Sequence, residues 1–337
     1  MPMGNDLTGV ARSVFLRGLV AATVALPGWA AAQTPPTATD PIVHVAVVDH
    51  EPIDEMSGIV KSQTYPDVYW VHNDSGDDPR LFAIDGSGRV VMRGDAERRF
   101  HVGPESTAEG RPLWPGLRIL AAANFDWEDI ALADGRLYIA EMGNNGNARR
   151  DMGIYVVNEP NPRAVPAARI LKFLPIRYPD QEVFPARQRH FDSEALFVSA
   201  GKIHVITKHR PVDEPGPEPG AKLYRLDTEH TDRENVLTLV GTREDLVWPT
   251  AASLSPDGQR LAVLTLEALW LFDEPSTGED WFAGEPDRIP LPQARTRQAE
   301  AVCWDDARTL RIANEQRDLF TVDLDATGAA TGERGAR

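Results

Sequence analysis

Past residue 41 the chain shows no long stretch in which apolar residues recur every three to four positions. Short runs of β-branched and aromatic residues alternate instead with Gly, Asp and Pro turns, a pattern that predicts an all-β fold. Stacking the runs reveals an internal repeat. Its clearest copies are Asp126-Trp-Glu-Asp-Ile-Ala-Leu before Arg136-Leu-Tyr-Ile-Ala, Asp192-Ser-Glu-Ala-Leu-Phe-Val before Lys202-Ile-His-Val-Ile, and Gln298-Ala-Glu-Ala-Val-Cys-Trp before Thr309-Leu-Arg-Ile-Ala. Two weaker copies start at Glu55-Met-Ser-Gly-Ile-Val and Pro249-Thr-Ala-Ala-Ser-Leu-Ser.

Each copy reads as a hairpin followed by a third strand: Leu81-Phe-Ala-Ile, Ile154-Tyr-Val-Val, Leu223-Tyr-Arg-Leu, Leu269-Trp-Leu-Phe and Leu319-Phe-Thr-Val. Fourth strands are available at Val90 to Arg93, Ile170 to Leu174, Val236 to Val240 and Arg288 to Leu291. The fifth unit runs out into polar residues, while Ile42-Val-His-Val-Ala-Val-Val stands alone before the first. Pairing the two closes a ring and removes its open edges. The expectation is a single β-propeller domain over 42–326, built from four-stranded blades. The count is five, and the poorly patterned stretch 94–120 leaves room for a sixth.

The ends differ in character. Residues 1–32 read as a cleavable signal peptide, with Arg12 and Arg17 before an apolar run from Gly18 to Ala25 and small residues Ala30-Ala31-Ala32 before Gln33. Pro27-Gly28 ends that run well short of the roughly 20 residues a membrane span needs, so no stable membrane anchor is expected. Residues 33–41 read as a disordered lead-in and 327–337 as a polar tail. The implied location is periplasmic or secreted. A formal net charge of −16 makes nucleic acid an improbable partner. Cys303 has no second cysteine to pair with, so stability must come from the core and from any bound ion. A monomer is expected. Cys303, His190 and His204 read as structural, and Trp70, Trp127, Trp270 and Trp304 as packing between blades rather than as a sugar platform.

In a propeller the start of each inner strand and the end of the next emerge on one face. Aligning the repeats puts Ser57, Glu128, Glu194, Thr250 and Glu300 in a ring at one mouth of the channel. Three carboxylates there would repel one another unless a positive charge sat among them or some were protonated. A hard divalent cation, calcium first, meets that need with oxygen ligands, whereas no His or Cys cluster has zinc spacing. The alternative is that the carboxylates bond backbone amides and pin the blades together. Long loops after Glu141 and Thr207 overhang the same face and carry Arg149, Arg150, Lys208, His209 and Arg210, a basic cluster suited to a small anionic substrate.

Ser57-Gly-Ile-Val, His72-Asn-Asp-Ser-Gly, Trp127-Glu-Asp-Ile-Ala, Gly143-Asn-Asn-Gly and Phe191-Asp-Ser-Glu-Ala-Leu resemble a group of exported bacterial propellers similar to the phytase-like and esterase-like-phytase propellers. The glutamate opening each inner strand also resembles the calcium-dependent apyrases. That resemblance implies a central calcium held by Ser57, Glu128, Glu194 and Glu300. Blade four departs from it, with Pro249-Thr-Ala-Ala and no acidic residue.

Two functions are therefore in view. One is a calcium-dependent hydrolase of phosphoesters or other esters, with the ion on Glu128, Glu194 and Glu300. In that reading Lys208, His209 and Arg210 receive the anion, and His72 or Asp74 serves as the base. The other is a non-catalytic propeller that binds a ligand or protein and whose ion only fixes the blades.

Overall fold

The first described strand, β1 (Ile42–Val47), lies antiparallel to the last, so the ring is closed by these two strands. The computed structural model describes residues 40–327. The segments read as signal and lead-in up to 39, and as tail from 328, lie outside the described residues. No described helix is long and apolar enough to cross a membrane.

Blade 1 holds β2 (Met56–Lys61), β3 (Tyr69–Asn73), β4 (Arg80–Ile84) and β5 (Leu117–Leu120). Blade 2 holds β6 (Trp127–Ala133), β7 (Arg136–Glu141), β8 (Gly153–Asn158) and β9 (Ala167–Arg177). Blade 3 comprises β10 (Arg189–Ser199), β11 (Lys202–Arg210), β12 (Pro219–Leu226) and, past the two-residue β13 (Asn235–Val236) that pairs with β9, β14 (Thr238–Val247). Blade 4 comprises β15 (Pro249–Leu254), β16 (Arg260–Thr265), β17 (Ala268–Asp273) and β18 (Asp287–Pro290). Blade 5 takes β19 (Ala299–Trp304), β20 (Thr309–Asn314) and β21 (Asp318–Asp323), with β1 as its outer strand.

The inner strands adjoin in the cycle β2, β6, β10, β15, β19 and back to β2. Five apolar clusters fill the five gaps between neighbouring blades, including the one where Ile59 and Phe82 of blade 1 meet Cys303 and Leu319 of blade 5. Strands sandwiched in this way are buried on both faces, which is why β3 is buried along its whole length. Trp70 and Trp127 fill one gap, and Trp270 and Trp304 two others.

Blade 1 corrects one expectation. Val90 makes a single bridge to Ile84, and Val91 N–H donates to the Ala83 carbonyl (2.7 Å), after which the chain leaves the sheet through a polar helical turn at Gly94–Glu97. The regular fourth strand is β5, paired at the other end of β4 through Arg80–Arg118 and Leu81–Leu117. The stretch 94–120 is thus spent on this detour, with Ala96 and Trp114 sealing the gap to blade 5, and no sixth blade forms. Beyond β4, β5 runs parallel to β9 and joins blades 1 and 2 at their rim.

Candidate functional site

Every inner strand carries a β-bulge near its start. The pairing register slips between Met56 and Gly58, Trp127 and Ile130, Ser193 and Ala195, Pro249 and Ala251, and Ala299 and Ala301. The extra residues are Ser57, Glu194, Thr250 and Glu300, and in blade 2 Glu128 with Asp129 faces one partner residue. A bulge bends its strand and re-aims a side chain. The same device thus acts five times on the ring that the repeat alignment picks out.

Two ring hydroxyls stitch neighbouring blades: Ser57 Oγ donates to the Glu128 carbonyl and Thr250 Oγ1 to the Ala299 carbonyl, both at 2.8 Å. Asp129 does more. It follows Glu128 at the position where the other blades have Gly58, Ala195, Ala251 and Ala301, and that smallness leaves space for one carboxylate. Its Oδ1 accepts from Ile130 N–H (2.8 Å), and its Oδ2 accepts from Leu196 N–H (2.8 Å) in blade 3 and Ala252 N–H (3.0 Å) in blade 4. The inner edge of an inner strand has no further strand to pair with, so these amides would otherwise lack partners. Burial pushes Asp129 up to about 8, against the pull of its three amide donors.

Above this bridge, carboxylate oxygens of Asp74, Asp126 and Glu128 lie within 4.8 Å of one another. Asp126 precedes Glu128 by two residues, and Asp74 arrives on the loop after β3, its N–H donating to the Glu55 carbonyl at 2.9 Å. Gly143 allows the approach: a Cβ there would stand 2.1 Å from Glu128 Oε1 and 2.3 Å from Asp126 Cγ. Burial raises all three, Glu128 well above the usual carboxylate range and Asp126 to about 6, and the neighbouring acids add to it. Glu300 is raised to about 8 by burial, with Lys208 opposing. Crowded carboxylates that hold protons near neutrality are the donor set a dication would displace protons from.

Lys208 supplies positive charge from the other side. It is 1% exposed, its ammonium pairs with Glu194 and stands 3.5 Å from Asp192, and its charge opposes that of Glu128 and Glu300. Arg210, two residues on, reaches Asp192 (3.4 Å) and Asn145, and both cations lie over the Trp248 ring, at 5.0 Å and 4.2 Å. His209 points to the opposite side of the strand by alternation. There it stacks on His190 at 3.8 Å, and burial first, then His190, depresses it to about 3. His72 is fully buried beside Trp127, its Nδ1 3.0 Å from the Asn73 carbonyl, and burial lowers it to about 4. Arg149 bonds Glu141 (2.6 Å), whose carboxylate accepts the amides of Phe125 and Asp126 and so fixes the loop that carries the cluster.

Of the nine residues expected to bind or react, Asp74, Glu128, Glu194, Glu300, Lys208 and Arg210 thus surround one mouth. Ser57 turns its hydroxyl to the next blade, and His72 and His209 are enclosed away from the carboxylates. Asp126, Asp129, Asp192 and Trp248 were not singled out by the sequence reading. The opposite mouth, where the inner strands end, opens into a cavity of about 530 Å³ lined mainly by strand ends and turns such as Leu132, Leu254 and Trp304. It holds no carboxylate cluster like that of Asp74, Asp126 and Glu128 among the described residues.

No family model and no curated protein matches the chain. Among solved structures, a luciferin-regenerating enzyme aligns at 9% identity over 83% of this chain and 76% of its own (TM-score 0.42). A PQQ-bound aldose sugar dehydrogenase from Streptomyces coelicolor aligns at 11% over 86% and 99% (TM-score 0.43). A protein of unknown function from Bacteroides thetaiotaomicron aligns at 11% over 84% and 75% (TM-score 0.41). Likenesses this remote say nothing of chemistry, and the five-bladed propeller stands on the strand pairing and the five inter-blade cores.

Proposed function

We propose that the channel mouth binds one divalent cation, calcium before others, through Asp74, Asp126 and Glu128, and that it hydrolyses an ester or phosphoester of a small anion. The convergence of these three carboxylates within 4.8 Å carries the reading. The donor set is all oxygen, which suits a hard cation, and the missing side chain at Gly143 leaves the approach open. Such an ion, when bound, polarises an ester oxygen or lowers the pKa of water.

The chain's own residues would do the rest. Arg210, and Lys208 behind it, receive the negative charge of the substrate, with Trp248 holding the Arg210 guanidinium flat. The enclosed His72 is badly placed to take a proton from the attacking water. His209 acts through the packing of β11 rather than on the substrate.

A second reading has its own observation. The Lys208 ammonium already pairs with Glu194, and Ser57, Thr250 and Asp129 bond across blades, as a structural plug would. The mouth would then be a rigid binding face. Metal content of purified protein, with thermal unfolding before and after chelation, separates the two. The first reading expects one ion per chain, lost in Asp126→Asn, and turnover on an ester or phosphoester panel that falls with it. Metal-free protein that is indifferent to calcium would overturn it.

A further inference from the structure

The loop that carries Arg149 holds the chain's one Asn-Gly pair, Asn145-Gly146, which none of these roles uses. Asn147 N–H donates to the Asn144 carbonyl (2.6 Å), so the pair forms the two central residues of a tight turn. Asn144 and Asn147 are buried and tie the turn to β10: Asn144 N–H donates to Asp192 Oδ1 (2.6 Å), and Asn147 Oδ1 accepts from Phe191 N–H (2.7 Å). The tip between them is exposed. Gly146 has open space where a side chain would stand, and its N–H donates to no described residue.

With no Cβ on Gly146, its nitrogen can turn onto Asn145 Cγ and close a five-membered ring. The structure adds an electrophile already engaged, because Arg210 Nη2–H donates to Asn145 Oδ1. A cationic donor on that oxygen stabilises the negative charge that develops there when the carbonyl is attacked, as an oxyanion hole does. Arg210 is itself held, by Asp192 (3.4 Å) and by the Trp248 ring (4.2 Å).

We propose that Asn145 is a self-modification site, converted through Gly146 and Arg210 to aspartate and isoaspartate, and that the change weakens the mouth's hold on anions. The Gly146 nitrogen bonds to Asn145 Cγ and gives its proton to water. The Cγ–Nδ2 bond then breaks, the nitrogen takes a proton from water and leaves as ammonia, and a cyclic imide remains. Water adds to one of the two imide carbonyls and reopens the ring. One water is consumed and one ammonia released, with no change of oxidation state. Either product replaces a neutral amide by a carboxylate beside Arg210, and the two pair. The effect on anions rests on the reading above, in which Arg210 receives the negative charge of the substrate; the modification itself does not.

Purified folded protein, held at neutral and at mildly alkaline pH and sampled by peptide mapping with mass spectrometry, tests it. Asn145 should convert before any other asparagine, and faster at the higher pH, since the attack requires loss of the Gly146 amide proton. Arg210→Met should slow it at least about tenfold, the loss of one hydrogen bond to a developing charge. Arg210→Lys, which keeps a charge for Asp192, should fall between. Asn145 that stays intact while the same chain unfolded in urea converts overturns the proposal, and so does a rate that both Arg210 variants leave unchanged. Calorimetric titration with inorganic phosphate should show binding at least about threefold weaker in Asn145→Asp than in the parent. Equal binding by both overturns the effect on the mouth. No phosphate binding by either overturns the mouth as an anion site and leaves the modification, read by mass, standing.

Discussion

Replacing Asp129 by alanine tests the bridge across the channel. The other inner strands have Gly or Ala at this position, so the backbone accepts alanine without strain. What is lost is the acceptor for three amides, two of which belong to blades 3 and 4. Each buried amide left unpaired costs about 1–3 kcal/mol. Water entering the channel recovers part of that, so a total of about 3 kcal/mol is expected. Asp129→Asn keeps one carbonyl oxygen, enough for Leu196 and Ala252 together, and turns an NH2 toward Ile130 N–H. It should cost about 1 kcal/mol, the size of one hydrogen bond. Urea unfolding followed by tryptophan fluorescence gives both values from midpoint shifts at constant slope. An alanine variant that loses less than about 1 kcal/mol, or an asparagine variant as damaged as the alanine one, refutes the bridge as the source of stability.

Three further outcomes follow from the mouth. Asp126 at about 6 and Glu300 at about 8 lie above their ordinary values of 3.8 and 4.5, so the folded chain holds more protons than the unfolded one between them. Their stabilising contribution is therefore complete at low pH and lost as pH rises through about 6 and then about 8; melts in chelator should fall across that window and calcium should reverse the fall, and a flat profile would count against the cluster. Gly143→Ala drives a Cβ into Glu128 and Asp126, so calorimetry should show calcium affinity down at least about tenfold, and unchanged affinity would remove these residues from the site. Lys208→Met leaves the largely buried Glu194 and the fully buried Asp192 without their ammonium and should cost about 3 kcal/mol in urea unfolding; a loss below about 1 kcal/mol would mean that the pair is not needed to hold blade 3.

The blade repeat was legible because a strand covered on both faces must be apolar along its length, and five such sets leave five visible periods in the chain. The fourth strand of blade 1 was not, since two valines followed by a polar turn look like a strand start whether or not the ladder continues. The ring at the mouth was located by aligning Glu128, Glu194 and Glu300 with Ser57 and Thr250. What makes those side chains converge is one extra residue per inner strand, a matter of register between two strands that no single strand's pattern records.

Part of the remainder was available. Asp126 and Asp192 stand two residues before Glu128 and Glu194, and strand alternation alone puts such pairs on one side. The repeated Asp-x-Glu was thus a sign of paired carboxylates at the mouth. Asp129 was visible as the one charged residue in a column of Gly and Ala, but its meaning needs the third dimension: only a closed ring puts Leu196 and Ala252, from two other blades, within reach of one side chain. Because that carboxylate spans the channel below the acidic cluster, it separates the mouth where strands begin from the 530 Å³ cavity where they end. A ligand at one mouth then meets a different set of groups from a ligand at the other. The proposed chemistry draws on the mouth that has the bulges, the long loops and the buried lysine.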